Sequence, residues 1–178
     1  KAGIASDTGG SGRLPAAFCG CVGFRPTHGR YPDDGILTLS QTLDTLTVMG
    51  ADVAMVRTMD TAITGEDAEP DRSDIRLGIL HDPFWTGISS EMAALGQNVV
   101  VTLAEAGIKF AEGNAPEIEQ LTEAAGFPIA LTETRDNWVK FAKDLCGQSL
   151  AEFAAEIASP DVRQLYEEMA RGEVPPPE

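Results

Sequence analysis

The chain is poor in the residues on which disulfide frameworks and metal sites are built. It has 3 cysteines and 2 histidines among 178 residues. A disulfide framework would leave one cysteine over, so Cys19, Cys21 and Cys146 are predicted to be small buried thiols in a reducing compartment. Cys19 and Cys21 could share a metal ion, but neither His28 nor His81 stands in metal-ligand spacing with them. We therefore expect no metal and no cofactor.

Basic residues are also scarce, and long apolar runs are missing. Lysine and arginine number 13 against 28 acidic residues, and the resulting net charge of −15 would repel the phosphates of a nucleic acid. No apolar run approaches the length of a membrane span. The hydrophobic fraction of 43% is sufficient for a core, and 178 residues fit one domain or a large piece of one. We expect a cytoplasmic protein without nucleic-acid or membrane partners, and a homodimer stays open.

Glycine is abundant, and it is most informative at residues 6–13, SDTGGSGR. Gly9 and Gly10 lack β-carbons, so successive N–H groups can form one concavity that binds an oxyanion. Ser11 closes this turn, where its hydroxyl could attack a carbonyl group whose oxygen the N–H groups hold. A Gly-Gly-Ser triplet alone is more typical of a plain turn, so the assignment depends on the surrounding sequence.

The residues after this turn continue a longer motif. They read PAAFCG at residues 15–20, VGFRPT at residues 22–27 and ADVA at residues 51–54. This motif resembles the amidase signature family, densely over residues 3–65 and more weakly to about residue 170. The resemblance implies an α/β fold with a mixed sheet covered by helices on both sides. It also implies a small-molecule amide as substrate, hydrolysed to an acid and ammonia through an acyl-serine intermediate.

The resemblance assigns roles within the glycine-rich turn. Ser11 is predicted to be the catalytic nucleophile, and the N–H groups of Thr8, Gly9 and Gly10, with its own, the oxyanion hole. The family's base is a lysine, which acts through a bridging serine on a cis peptide and whose pKa is lowered by burial. In the family both lie upstream of this turn, so neither can be placed here. We therefore expect an internal fragment that requires missing N- and C-terminal parts of the same domain and is inactive by itself.

Several alternatives stay open. His28 or His81 could be the base of a Ser-His-Asp triad. Asp7 and Arg13 could act as a catalytic acid or substrate clamp, although bracing of the turn by hydrogen bonds and an ion pair is favoured. The protein could instead be the glutamine-hydrolysing subunit of a tRNA-dependent amidotransferase, or a non-catalytic amidase fragment.

Three further features concern the substrate and the packing. Residues 25–32, RPTHGRYP, and residues 126–131, GFPIAL, look most like enzymes that act on small aryl-alkyl amides, such as mandelamide and indoleacetamide hydrolases. Phe127 and Trp138 are predicted to be core residues, with an apolar substrate pocket as the alternative. Gly12 stands where the family usually has a β-branched residue, so looser packing is expected beneath the nucleophile.

Hydrophobic periodicity gives a coarse organisation. The resemblance implies that residues 1–178 are part of a single amidase-signature domain, with a nucleophile and oxyanion segment at 1–65 and a strand–helix–strand and helical segment at 74–178. Residues 1–35 are predicted to be mainly loop, with a short helix after Ser11. The remaining predictions are a buried strand at 21–24, a helix at 51–63, an exposed loop at 66–73, a strand at 75–80, a helix capped by Ser90, a strand at 108–110, and helices that begin at Ser149 and Ser159.

Overall fold

The structure is a computed structural model that describes residues 1–67 and 75–173. The chain divides into two compact units, Lys1–Asp67 with Ala124–Glu178, and Ala68–Glu123. The last part of the chain thus belongs with the first, an association that local sequence patterns do not predict. The predicted loop at 66–73 lies outside the described residues except for Glu66 and Asp67, which are both exposed.

The first unit is built on an antiparallel sheet of three strands in the order β1–β3–β2. β1 spans Ala2–Asp7, β2 spans Val22–Phe24 and β3 spans Thr45–Gly50. β3 pairs with both neighbours, and Asp7 lies opposite Thr45 at the end of β1. The sheet therefore brings the residue that precedes the glycine-rich turn against the start of its central strand.

Two of these strands correct the sequence predictions. β1 lies inside the stretch that was expected to be loop, because its small residues give little strand signal. β3 was not predicted, since it alternates weakly: Thr45, Thr47 and Val48 are all buried although two of them are polar. The strand predicted at 21–24 is confirmed as β2, but it is not buried, because Phe24 is 39% exposed.

Two helices complete the N-terminal part of this unit. α1 spans Arg13–Phe18 and α2 spans Val53–Thr64, so both predicted helices are confirmed. The Asp52 carboxylate accepts from the Met55 N–H at 2.7 Å and begins α2. Gly65 ends α2 in the left-handed region. Val56 of α2 packs with Tyr31 and Val48 and so closes one face of the sheet.

The second unit is a strand–helix–strand arrangement, as predicted. β4 spans Arg76–Leu80, α3 spans Ser90–Glu105 and β5 spans Lys109–Gly113, and the two strands are parallel. The N-cap of α3 is Ser89 rather than Ser90, because the Ser89 hydroxyl accepts the hydrogen bond from the Met92 N–H.

The remaining elements are helical, as predicted. α4 spans Glu117–Phe141, a π-helical turn spans Ala142–Cys146, α5 spans Leu150–Ala155 and α6 spans Pro160–Arg171. The predicted capping box at Ser149 is confirmed. The buried cluster between α5 and α6 consists of Leu150, Ala154, Tyr166 and Met169.

The two aromatic residues considered as core or pocket residues differ from each other. Trp138 packs against this cluster, and its ring centroid lies 4.7 Å from that of Phe141 and 5.4 Å from that of Tyr166. Its prediction as a core residue is therefore confirmed. Phe127 is 76% exposed, so its prediction as a core residue is wrong.

The cysteines also correct a prediction. All three are free, but Cys19 and Cys146 are exposed and Cys21 is half-buried. Cys19 follows the last residue of α1 and Cys146 ends the π-helical turn, so both lie at solvent-facing helix ends rather than in a core. No helix among residues 1–67 and 75–173 combines the length and the apolar character that crossing a membrane requires.

Candidate active site

The glycine-rich turn folds around the carboxylate of Asp7, which has no exposed surface. The N–H of Gly10 donates to Asp7 Oδ1 at 2.8 Å, and those of Gly12 and Arg13 donate to Oδ2 at 3.2 and 3.1 Å. The Arg13 guanidinium also donates to both oxygens, from Nε and Nη2, each at 3.0 Å. The turn is therefore held from its inner side by a buried anion that satisfies several of its N–H groups at once.

The electrostatics keep this carboxylate ionised. Burial by itself would raise the pKa of Asp7, but hydrogen bonds from the Arg13 side chain and from the N–H groups of Arg13, Gly10 and Gly12 lower it well below its usual range. The same hydrogen bond raises the pKa of Arg13. Asp7 is thus a negative charge inside the turn at neutral pH.

A second arginine faces the same carboxylate. Arg25 Nε lies 3.9 Å from Asp7 Oδ1, is buried, and has no hydrogen-bond acceptor among the residues that the structure describes. Its Nη2 donates to the Leu43 carbonyl oxygen at 2.6 Å and to Thr45 Oγ1 at 3.1 Å. Arg25 therefore links the Asp7 carboxylate to the chain that enters β3.

Ser11 lies on the outside of this turn and is exposed. No residue in the described ranges accepts a hydrogen bond from the N–H groups of Thr8, Gly9 or Ser11. The Gly10 N–H is engaged by Asp7, which corrects the expectation that all four N–H groups are open to a substrate. Gly10 has a φ of 122°, a conformation that only glycine adopts readily, so its contribution is the shape of the turn.

The position of Gly12 corrects the expectation of loose packing beneath the nucleophile. A β-carbon on Gly12 would lie 2.5 Å from Cγ2 of Thr47 in β3. The methyl group of a buried threonine thus fills the space that a β-branched residue would need here. The turn is closely packed on β3.

The side chain of Thr8 is anchored outside the turn. Its hydroxyl donates to Asp44 Oδ1 at 2.6 Å, while Asp44 Oδ2 accepts from the Leu39 N–H at 2.7 Å. Asp44 therefore joins the beginning of the glycine-rich turn to the segment that precedes β3.

Neither histidine is hydrogen-bonded to Ser11 within the part of the chain that the structure describes. His28 Nε2 lies 3.0 Å from the Gln41 carbonyl oxygen, and His81 Nε2 lies 3.4 Å from a Glu112 carboxylate oxygen in the second unit. The described residues contain no group of three or more His, Cys, Asp or Glu that could hold a metal ion.

Sequence reasoning missed three residues: Arg25 and Asp44, which contact Asp7 and Thr8 of the glycine-rich turn, and Glu133, whose carboxylate binds the segment at residues 39–44 that carries Asp44. The first two stand in stretches that carry the family resemblance, so their types were visible but their contacts were not. Glu133 lies in a helix far along the chain and gave no local signal.

An α/β fold hosts many unrelated activities, so the fold alone does not define the class of this protein. A family model described as Amidase matches residues 1–174, and the chain belongs to this family.

Curated relatives agree with this membership. The chain is 38% identical over 167 residues to an indoleacetamide hydrolase of Agrobacterium vitis, covering 92% of this chain and 36% of the relative. It is also 38% identical over 170 residues to a mandelamide hydrolase of Pseudomonas putida, covering 94% and 33%. A glutamyl-tRNA(Gln) amidotransferase subunit of Symbiobacterium thermophilum is 31% identical over 155 residues, covering 78% and 32%. The chain thus spans about a third of the length of these relatives.

A solved amidase structure shows the same fold. It superposes with a TM-score of 0.74 at 24% identity, covering 97% of this chain and 39% of that chain.

Proposed function

We propose that this chain carries the nucleophile of an amidase that hydrolyses a carboxylic amide to an acid and ammonia. The supporting observation is the exposed Ser11 on a turn whose inner N–H groups bind Asp7 and whose outer ones are left without an acceptor among the described residues. On this proposal the Ser11 hydroxyl and these outer N–H groups act on the same carbonyl group of a substrate.

The chemistry follows from this arrangement. Ser11 Oγ bonds to the amide carbon and gives up its proton, and the carbonyl oxygen becomes an oxyanion. The N–H groups of Thr8, Gly9 and Ser11 receive this charge, and one such donor contributes about 3 kcal/mol to lowering the barrier. The C–N bond then breaks, the amine leaves with a proton as ammonia, and water hydrolyses the acyl-serine ester.

The buried Asp7 supports the proposal that these donors need little rearrangement, because it fixes the residues next to Gly9 and Ser11. Its hydrogen bonds fix the Gly10, Gly12 and Arg13 N–H groups on the inner side of the turn. Donors that are already oriented cost no reorganisation when charge develops. Asp7 and Arg13 thus support the site without touching the substrate.

The Ser11 proton requires a base. On the family resemblance this is a lysine that acts through a bridging serine, and no residue of this chain is assigned either role. We therefore expect no turnover by these 178 residues alone. Measurable amide hydrolysis by the isolated chain would contradict this expectation.

The substrate proposed is a small aryl-alkyl amide. Similarity to an indoleacetamide hydrolase and a mandelamide hydrolase supports it. A glutamine-hydrolysing amidotransferase subunit is the second candidate, which the more distant amidotransferase relative supports.

The free cysteines and the acidic composition favour a reducing cytoplasmic setting.

Labelling with a fluorophosphonate tests the nucleophile in the protein as it is encoded. We expect covalent labelling of Ser11 and its loss in Ser11→Ala, with an unchanged circular dichroism spectrum because only an exposed hydroxyl is removed. Ser6→Ala is the matched control, since Ser6 is an exposed serine in β1, and it should label normally. Labelling that survives Ser11→Ala, or an unlabelled wild type, would reject Ser11 as the nucleophile.

Ammonia release separates the two substrates. The amidase proposal expects ammonia from indoleacetamide or mandelamide without a partner protein. Release of ammonia from glutamine but from neither of these amides, and only when a second subunit is present, would favour the amidotransferase.

A further inference from the structure

The carboxylate of Glu133, on α4, is bound by the turn at residues 39–44. It accepts hydrogen bonds from the hydroxyls of Ser40 and Thr42 and from the Thr42 N–H at 3.0 Å. Burial would raise the pKa of Glu133, but these hydrogen bonds lower it. Glu133 is therefore an anion held in one place by three donors.

Ser40 connects Glu133 to the other residues of the turn at residues 39–44. It is fully buried, and its hydroxyl also accepts from the Leu43 N–H at 3.2 Å. The Ser40 carbonyl oxygen accepts from the Asp44 N–H at 2.8 Å. The orientation of Asp44 thus depends on Ser40, and Ser40 is oriented by Glu133.

A second contact joins the same two elements. Asn137, one helical turn after Glu133 on α4, donates from Nδ2 to the Leu39 carbonyl oxygen at 3.1 Å. The Gln41 side-chain amide lies 3.4 Å from Asn137 Oδ1. Residues four apart lie on one helix face, so this face of α4 holds the turn at two points.

Asp44 then reaches the candidate active site. Its two oxygens bind the Leu39 N–H and the Thr8 hydroxyl at 2.7 and 2.6 Å. Thr8 begins the segment whose N–H groups are proposed to receive the oxyanion. A rotation of Thr8 would redirect the Gly9 N–H, because the two share one peptide unit.

We propose that Glu133 is a positioning residue for the oxyanion hole, acting through the 39–44 turn and Asp44 on Thr8. This inference rests on the proposed function, since it presupposes that the N–H groups near Thr8 stabilise the transition state. Glu133 has no place in the chemistry itself. Its effect is to keep donors in the orientation in which they are useful, and small misplacements of such groups are costly in rate.

A double-mutant cycle in the protein as encoded tests this coupling. The readouts are the fluorophosphonate labelling rate of Ser11 and kcat and KM for an amide substrate. Thr8→Val should lower the labelling rate and kcat about tenfold with little change in KM, and Thr8→Ser, which keeps the hydroxyl, should restore both. Glu133→Gln should lower kcat about fivefold in the same way.

The decisive value is that of the double variant. If Glu133 acts through Thr8, Thr8→Val with Glu133→Gln should be no more than about twofold slower than Thr8→Val alone. Asp136→Asn is the matched control, because Asp136 is an exposed carboxylate on the same helix, and it should leave both readouts unchanged. Thr42→Val removes one donor to Glu133 and repeats the test should Glu133→Gln fail to fold.

The outcomes separate this inference from the proposed function. Losses that multiply in the double variant, or a Glu133→Gln variant that melts earlier but keeps the wild-type kcat, would overturn the positioning role while the nucleophile stands. A wild type that does not label would overturn both.

Discussion

At the scale of single residues, the candidate site depends on two glycines. One has a backbone conformation that other residues rarely adopt, and the other has no room for a side chain. Gly10 needs a φ of 122°, and Gly12 lies against Thr47. The sequence alone predicted the need for glycine at the tight turn. It could not predict the Gly12 contact, because Thr47 belongs to a strand that its own pattern did not reveal.

Gly12→Ala tests this close packing. We expect the free energy of unfolding to fall by about 1–3 kcal/mol, because the added methyl group overlaps Thr47 and forces the turn or β3 to move. Urea unfolding followed by circular dichroism measures it. Gly3→Ala is the control: a β-carbon there meets nothing within 4 Å, so the change should stay within about 0.5 kcal/mol. Equal effects of the two substitutions would mean that the Thr47 contact does not constrain Gly12.

At the scale of elements, two neighbouring helices begin with a serine but differ in capping. Ser149 accepts from the Glu152 N–H at 3.2 Å while Glu152 accepts from the Ser149 N–H at 2.8 Å, so α5 has a complete capping box. Ser159, before α6, makes no side-chain cap hydrogen bond. The two exposed serines thus form a natural comparison, because the helices that they begin share one buried cluster.

Ser149→Ala should lower the free energy of unfolding by about 1 kcal/mol, because it leaves the Glu152 N–H without its cap. Ser159→Ala should change it by less than about 0.5 kcal/mol, since no cap bond is lost. Thermal or urea denaturation of both variants measures the difference. A larger loss in Ser159→Ala would show that the cap hydrogen bond is not what distinguishes the two positions.

The elements also show what a sequence can predict locally. α2, α5 and α6 carry their own begin and end signals, such as Asp52, Gly65 and Ser149, and all three were predicted. β3 has no such signals, because its buried positions include threonines and do not alternate cleanly. Its identity as a central strand depends on pairing with β1 and β2, which local pattern does not contain.

At the scale of the whole molecule, an excess of acids is combined with buried or hydrogen-bonded carboxylates. The net charge is −15, and hydrogen bonds lower the pKa values of Asp7, Glu133 and Asp60, a residue of α2 whose carboxylate accepts from the Arg30 guanidinium and the Tyr31 hydroxyl. A carboxyl group whose pKa is lower in the folded than in the unfolded state stabilises the fold above its unfolded pKa. That stability is lost as pH falls toward the folded value.

We therefore expect the free energy of unfolding to be level near neutral pH and to fall steadily below about pH 4. Asp7→Asn should be less stable at neutral pH and should show a shallower fall, because the buried titrating group is gone. Urea unfolding at a series of pH values measures both profiles. A variant with the wild-type slope would show that the carboxyl group of Asp7 does not link proton binding to folding.

The candidate site is also a property of the whole chain. Ser11 and its turn could be predicted because they are contiguous and resemble a known family. Glu133 could not, since its contact with Ser40 joins residues 93 positions apart and either residue alone is unremarkable.

The carboxylate of Asp7 has one more consequence. Because the chain's own Asp7 carboxylate shapes the turn, we expect the turn to keep this conformation with or without a bound substrate. On the proposed function, the side chains around the site could therefore differ between amidases with different substrates, while the position of Asp7 would have to stay aspartate.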